Sequence, residues 1–346
     1  MKRKYRLAVF IGRFQPFHIG HEHVIKKALE FADQVLVIVG SAHIAPSPKN
    51  PFSFQQRYEM IERFGQAADI DSAIGIVAVN DTSDAEWIAA VQNRVREFAT
   101  DEKDSEIVLV GHEKDASSFY LKIFPQWHFI DIPPLQIQGS RCIDATRIRE
   151  MMFRNEWAFI QGTVSPAVFE YLGWWKETPQ FQQLRDEWQY IAGYKASWQA
   201  APYPPVFVTA DSVVLQSGHI LVVERGQAPG KGLMALPGGF VGQDERIVDA
   251  AIRELIEETG IKLQPQVLMR CISDVKVFDD PSRSLRGRTI THAHLIRLDD
   301  TRPLPPLRGG DDASDAMWIP LADAYNHRTL FFEDHFEIIR SMTCNI

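Results

Sequence analysis

The sequence predicts two domains of different class, an α/β domain on a parallel sheet followed by an α+β domain with a mixed sheet. Three observations carry this. From Arg6 onward, short apolar runs alternate with helical segments; a PYPP stretch at 202–205 interrupts that pattern; beyond it, closely spaced strand runs surround one helix rich in glutamate. A length of 346 residues makes two domains the natural expectation, and a hydrophobic fraction of 45% supplies two buried cores.

Charge and cysteine content narrow the classes further. A net charge of -8 and a pI near 5.8 provide no general attraction to nucleic acid or to anionic lipid. The 3 cysteines, Cys142, Cys271 and Cys344, have neither zinc spacing nor a disulfide pattern, as expected of a reducing, cytoplasmic setting. The basic start MKRKYRLAVFIG ends its apolar run at once in GRFQPFHIGH, so neither a cleavable signal nor a membrane span is expected.

In chain order, Arg6 to Ile11 reads as a strand, Gly12 to Gly20 as a loop, His21 to Phe31 as a helix and Val35 to Val39 as a second strand, the start of a βαβ unit. The loop combines small residues, which let the backbone approach a ligand, with His18 and His21, whose imidazoles donate to phosphate oxygens at a helix N-terminus. Val77 to Val79, Ile107 to Val110 and Phe129 to Ile132 are further strand candidates. A helical pattern from Pro166 to Trp174 closes the first domain, at residues 1–170. Residues 171–205 read as a packed, partly helical linker, because Trp174, Trp175, Trp188 and Trp198 argue against an exposed tether; core packing is their default.

GRFQPFHIGH carries more than a lone histidine would. Its His18, Gly20 and His21 match the HxGH motif, and the chain resembles the nucleotidylyltransferase superfamily, which implies a Rossmann-like parallel sheet and a triphosphate cradle of Gly12, Arg13, Phe14 and Gly20. GSAHIAPSPKNPFSFQQR, with Arg57 five residues beyond Phe52, is similar to archaeal-type nicotinamide-mononucleotide adenylyltransferases. By that resemblance Arg57, Asp81 and Gly111 are expected at the nucleotides. Trp87 is expected to stack on the pyridinium ring, with plain core packing the alternative. Gly111 begins GHEKD, where Lys114 adds charge, and GSRCIDATRIRE from Gly139 to Glu150 places Thr146 and Arg149 in the second phosphate motif. Asp144 stands where the family commonly has serine. It is expected to pair with an arginine or to point away, leaving Thr146 to cap the helix.

The second domain, 206–346, opens with strand runs Val206 to Thr209 and Ile220 to Val223 around a Ser217–Gly218 turn. A helix starting soon after Gly242 collects Glu254, Glu257 and Glu258 on one face, at about 100° per residue, and packs Val248, Ile252, Leu255 and Ile256 on the other. Like charges so spaced invite a hard divalent cation. Leu268 to Val277, Thr289 to Ile296 and Trp318 to Pro320 are expected as strands, and Phe331 to Ile339 as the last helix.

Gly239 to Ile261 matches the whole signature of the Nudix hydrolases, from its first glycine through Glu245 and the Arg253–Glu254 pair to Glu257, Glu258 and Gly260. That resemblance implies a metal set of Glu254, Glu257 and Glu258, supported by Glu245 and Arg253, with Glu257 or Glu258 as general base. Mg²⁺ is the expected metal, because the expected substrates are polyphosphates, with Mn²⁺ also suited to the oxygen ligands. FDDPSRSLRGRT and FEDHFEII resemble segments of ADP-ribose pyrophosphatases, placing Arg283 and Arg286 at a phosphate or the terminal ribose.

Together the two resemblances imply a bifunctional bacterial enzyme. The first site makes NAD and pyrophosphate from nicotinamide mononucleotide and ATP, with His18, His21, Arg149 and Mg²⁺ as phosphate clamp; the second splits ADP-ribose into AMP and ribose 5-phosphate. Two alternatives stand beside it: a hydrolase acting on NADH, a dinucleoside polyphosphate or another nucleotide sugar, and a non-catalytic ligand sensor. A homo-oligomer is compatible with the linker tryptophans.

Overall fold

A computed structural model describes residues 3–80, 84–100, 102–113, 121–137 and 141–344. The chain divides into two compact units, Met1–Leu184 and Arg185–Ile346.

In the first unit, β1 (Tyr5–Gly12), β2 (Ala32–Val39), β3 (Ile74–Ala78), β4 (Ile107–Gly111) and β5 (His128–Asp131) form one sheet in the order β3-β2-β1-β4-β5. Every pairing is parallel. β1 is central, and Leu7 to Ile11 are buried on both faces. Leu7, Val9 and Ile11 pack on one side with Val91 and Val95, the period of two that a strand imposes. The connecting helices are α1 (Ile19–Ala28), α2 (Phe54–Ala67) and α3 (Asp84–Phe98). Ser53 and Gln56 start α2 with a reciprocal capping box, at 3.2 and 2.8 Å. A short ladder of β6 (Gln136–Ile137) and β7 (Arg141–Cys142) precedes α4 (Ala145–Phe153) and α5 (Pro166–Lys176); the next helix, α6 (Pro179–Ser197), begins in this unit and ends in the second.

Strand order reverses beside β1. The chain builds outward through β2 and β3 on one side, then returns to start β4 on the other. Such a sheet takes ligands in the crevice beyond the carboxyl ends of its strands at this point, and the loops after Gly12 and Gly111 both open there. The linker tryptophans divide between two environments. Trp175 is fully buried against Phe52 and Phe181, whereas Trp174 is 60% exposed.

The second unit holds β8 (Val206–Gln216), β9 (His219–Arg225), β10 (Met234–Ala235), β11 (Gly238–Phe240), α7 (Ile247–Thr259), α8 (Pro265–Arg270), β12 (Ile272–Phe278), β13 (Arg288–Arg297), β14 (Ala313–Pro320), α9 (Leu321–Asn326) and α10 (His335–Thr343). The sheet runs β10-β9-β8-β13-β12, with β11 added to β8 and β14 to β9. Only the β8–β13 pairing is parallel among the described residues, so the sheet is mixed as expected. Ser217 and Gly218 both have positive φ, 49° and 73°, the geometry of a tight hairpin turn. Val214, Leu221 and Ile296 pack with Ile252 and Leu255 of α7, while Val213, Ile220 and Leu295 pack with Phe336 and Ile339 of α10.

Several boundaries differ from the sequence reading: β8 runs on to Gln216 instead of ending at Thr209, β14 begins at Ala313 instead of Trp318, and α1 spans Ile19–Ala28 instead of His21 to Phe31. The strand expected from Leu268 begins at Ile272, because Pro265 at the first helical turn starts α8 and Leu268 buries from that helix. The last helix starts at His335; Phe331 and Phe332 enter the core as extended chain instead, with Phe332 N–H bonded to Met234 O at 2.9 Å.

Candidate active sites

The loop after β1 is held from beneath. A Cβ on Gly12 would meet the Phe14 ring at 2.8 Å, so glycine is what lets that ring fold back. Phe14, at φ 52° and 2% exposed, presents its ring edge-on to His21 with centroids 4.8 Å apart. Both Phe14 and Arg57 had been expected at the nucleotide, and both sit beneath the loop instead. Arg57 is fully buried, and its guanidinium donates to Arg13 O, Gly40 O, Ser41 O and Ser53 O at 2.7 to 3.1 Å. It ties the ends of β1 and β2 together, since carbonyls left there without donors would carry a desolvation penalty.

His18 caps α1. Its Nδ1 accepts Gly20 N–H at 3.2 Å, while His21 Nδ1 accepts His18 N–H at 3.2 Å, and the rings stack 3.6 Å apart. An Nδ1 that accepts leaves the proton of a neutral imidazole on Nε2, so both rings are set to donate from Nε2. A side chain at Gly20 would press on His18 Cε1, 3.0 Å away.

Arg149 joins this loop from α4. It donates to Gln15 O at 2.6 Å and to Thr146 Oγ1 at 3.1 Å. Burial first, and then the Arg13 guanidinium, lower its pKa to about 10. Two guanidiniums that repel each other beside two imidazole donors make a site that a polyanion stabilises. Asp144, standing where serine was expected, is the cap of α4 and accepts Thr146 N–H at 2.9 Å. Thr146 therefore does not cap, and its hydroxyl serves Arg149. Gly111 ends β4, and the next residue, His112, places Nδ1 3.1 Å from Asp131 Oδ1. Trp87 is half-buried and packs toward Phe124 at 5.9 Å, within the cluster behind the sheet. Asp81, Lys114 and Gly139 lie outside the described residues.

In the second unit the glutamate helix and the glycines before it interlock. Gly238 N–H donates to Glu258 Oε2 at 2.9 Å, and a Cβ on Gly239 would stand 2.5 Å from Glu254 Oε1. Arg253 is the hub. It grips Glu245 through two hydrogen bonds, of 3.0 and 2.7 Å, and from Nη1 reaches Glu254 at 2.7 Å and Glu257 at 2.9 Å. Its guanidinium holds the Glu245 carboxyl down to about 2. Glu258, 7% exposed, is pushed up to about 8, by burial above all, and by Glu254 and Asp211 against the opposing Gly238 N–H and Arg225.

The carboxylates that gather are Glu254, Glu257 and Asp311, with one ligand oxygen from each within 4.8 Å of the others. Glu258, expected as the third, holds Gly238 instead. Asp311 was missed by the sequence reading. It arrives on a loop docked to the end of α7, where Arg308 N–H bonds Thr259 O at 2.9 Å and Gly310 N–H bonds Glu258 O at 3.1 Å. A Cβ on Gly310 would lie 2.5 Å from Glu257 O, so the RGGDD stretch 308–312, glycines ahead of acids, was the available signal. Three oxygen donors at this spacing fit a hard divalent cation.

Arg283 and Arg286 divide in role. Arg283 is buried and forms a two-bond pair with Asp334, at 2.9 and 2.8 Å. Arg286 lies over the Phe240 ring at 5.2 Å, and its enclosed Nε has no hydrogen-bond partner. Beneath them Asp211 accepts the Thr291 hydroxyl, and His335 Nδ1 accepts Leu236 N–H at 2.9 Å. Burial, with three arginines nearby, holds His335 neutral.

Comparison with known proteins places both units. Residues 9–129 match the Cytidylyltransferase-like family and residues 206–342 the NUDIX domain family. The nicotinamide/nicotinic acid mononucleotide adenylyltransferase of Acinetobacter baylyi is 34% identical over 190 residues, 54% of this chain and 95% of that protein. An ADP-ribose pyrophosphatase of Methanocaldococcus jannaschii is 35% identical over 133 residues, 38% of this chain and 70% of that protein. A crystal structure of a bifunctional NMN adenylyltransferase/ADP ribose pyrophosphatase from Francisella tularensis, complexed with AMP and a Mn ion, covers 99% of both chains at 37% identity and a TM-score of 0.88. With the His18–His21 cradle at the strand reversal and the carboxylate cluster of α7 and the Asp311 loop, this likeness over the full length shows that the chain belongs to the family of bifunctional NMN adenylyltransferase/ADP-ribose pyrophosphatases.

Proposed function

We propose that residues 1–170 carry adenylyl transfer and residues 206–346 carry hydrolysis, each at the residues described above. In the first site a phosphate oxygen of nicotinamide mononucleotide attacks the α-phosphorus of ATP, the bond to the β-phosphate oxygen breaks, and NAD and pyrophosphate leave. The nucleophile is already anionic near neutral pH, so alignment and charge do the work. His18 and His21 donate from Nε2, while Arg149 and Arg13 supply positive charge. Gly12, Gly20 and Gly111 let the backbone approach; Asp81 and Trp87 are proposed at the nicotinamide nucleotide. The observation that supports this reading best is the double Nδ1 acceptance, which aims two N–H donors from one helix start.

In the second site water cleaves ADP-ribose to AMP and ribose 5-phosphate. Glu254, Glu257 and Asp311 would hold a divalent cation, Mg²⁺ by preference. When bound it would neutralise pyrophosphate oxygens and make water a better nucleophile. Arg253 keeps the carboxylates in place through Glu245. Glu258 is the proposed proton acceptor: Gly238 anchors one oxygen, and a carboxyl raised by burial exchanges its proton near neutral pH. Arg286, which forms no ion pair among the described residues, is the arginine proposed to meet the diphosphate, while Arg283 positions Asp334.

Incubation of the purified protein with Mg²⁺ and, separately, ADP-ribose, NADH or diadenosine polyphosphate, followed by chromatography, tests the hydrolase half. Conversion of ADP-ribose to AMP and ribose 5-phosphate in preference to the others, lost in Glu258→Gln, is expected. Preference for another compound would overturn the substrate, and absence of turnover across the panel would overturn hydrolysis.

A further inference from the structure

Glu187 is a buried acid with no part in the adenylyl-transfer or hydrolysis steps described above. It lies on α6 within the second unit, is 6% exposed, and its Oε2 accepts Gly230 N–H at 3.1 Å. Burial pushes its carboxyl up, while that N–H and the Arg225 guanidinium hold it down. A carboxyl enclosed in this way adds little to stability, since an apolar side chain of the same size fills such a place at lower cost. What it holds is the turn between β9 and β10.

That turn, Gly226 to Gly232, is closely fitted. Gly230 sits at φ 76°, and a Cβ there would run into the Phe332 ring, so the chain lies flat against that side chain. Gly226 N–H reaches Asp312 O at 2.8 Å, beside Asp311 of the carboxylate cluster. The Pro229–Gly230 peptide is the joint. Its N–H goes to Glu187, and its carbonyl, pointing the other way across the same rigid plane, accepts Arg225 Nε–H at 2.8 Å. An acceptor at one end of a peptide group strengthens the hydrogen bond at the other. Arg225 is thereby fixed at two points, by that carbonyl and by the face of Phe332 at 4.2 Å. Its terminal nitrogens form no hydrogen bond among the described residues, and its charge acts on Glu258, Asp312 and Glu333.

We infer that Glu187 is a positioning residue of the hydrolase site: through the Pro229–Gly230 peptide it holds Arg225 in place beside Glu258. This rests on the reading of Glu258 as proton acceptor. A positive charge near the group that takes the proton helps the chemical step when it need not reorganise during that step, so the effect falls on turnover and leaves substrate and metal binding alone.

A double-mutant cycle on ADP-ribose hydrolysis by the full chain tests this. Glu187→Met fills the same space without an acceptor for Gly230. It is expected to lower kcat about tenfold, the scale of one hydrogen bond lost, with KM and Mn²⁺ affinity within about twofold of wild type. Glu187→Gln keeps an oxygen for Gly230 N–H and retains at least about a third of wild-type kcat. In an Arg225→Met background, Glu187→Met lowers kcat no further. The same tenfold loss in that background, a loss confined to KM or accompanied by loss of Mn²⁺ binding, an equal loss in Glu187→Gln, or wild-type kcat in Glu187→Met each overturns the inference. Absence of ADP-ribose turnover in the wild type, or wild-type turnover in Glu258→Gln, overturns instead the reading on which it rests.

Discussion

Gly239→Ala is the sharpest probe of how the second site is built. The added Cβ would lie 2.5 Å from Glu254 Oε1, 2.6 Å from Cδ and 2.9 Å from Oε2. The shortest of these is about 0.9 Å inside the 3.4 Å at which ordinary contact begins, so one partner must move by about that much. The backbone of Gly239 is pinned in the sheet opposite Ala210, so the carboxylate yields. Yet Glu254 is held by Arg253 at 2.7 Å and shares the Asp311 cluster, and shifting it disturbs the oxygens that face the cation. Misplacing a site group by about 1 Å costs on the order of 100-fold in rate, while a flexible side chain gives way at a stability cost of about 1 kcal/mol. Expected, therefore, are a fall of about 100-fold in ADP-ribose hydrolysis, weaker Mn²⁺ binding by titration calorimetry, and a melting transition lowered by only about 2–4 °C. Adenylyl transfer in the same preparation serves as internal control. Wild-type Mn²⁺ affinity together with wild-type hydrolysis would refute the placement of Glu254.

Two further outcomes follow from the same geometry. His18→Asn keeps an acceptor for Gly20 N–H and so keeps the cap of α1, but loses the Nε2 donor; adenylyl transfer should fall at least about tenfold, or about 1.4 kcal/mol, with an unaltered melting transition, and an unchanged rate would remove His18 from the phosphate clamp. Asp211 is pushed up to about 6, chiefly by burial, with the Thr291 hydroxyl opposing. Its folded value lies above the ordinary value of about 3.9, so its protonated form favours folding, and that stability is present below pH 4 and lost as pH rises to about 6, a difference of about 3 kcal/mol. Asp211→Asn should then stabilise the second unit by up to that amount at pH 8 and hardly at pH 4, as read by denaturant unfolding; an equal effect at both pH values would contradict it.

What was legible in the sequence is what local geometry repeats. An apolar run of strand length marks a strand whether or not its partners are known, so β1, β2 and β13 are legible within a few residues, whereas only the start of β8 is. His18, Gly20 and His21 lie within one turn, and Glu245, Arg253, Glu254 and Glu257 within one loop and helix, so spacing alone brings each set together.

The tertiary structure decided where a residue's partners come from elsewhere in the chain. A buried arginine satisfied by carbonyls and one facing a ligand look alike in sequence, and only packing shows Arg57 to be the first kind. Asp144 is an acid in an unexpected place until the start of α4 makes it a cap. Arg283 and Arg286, three residues apart, separate because Asp334 on a distant segment takes one and leaves the other over Phe240. Asp311 joins Glu254 and Glu257 because its loop bonds the free carbonyls at the end of α7, a docking that no local periodicity encodes.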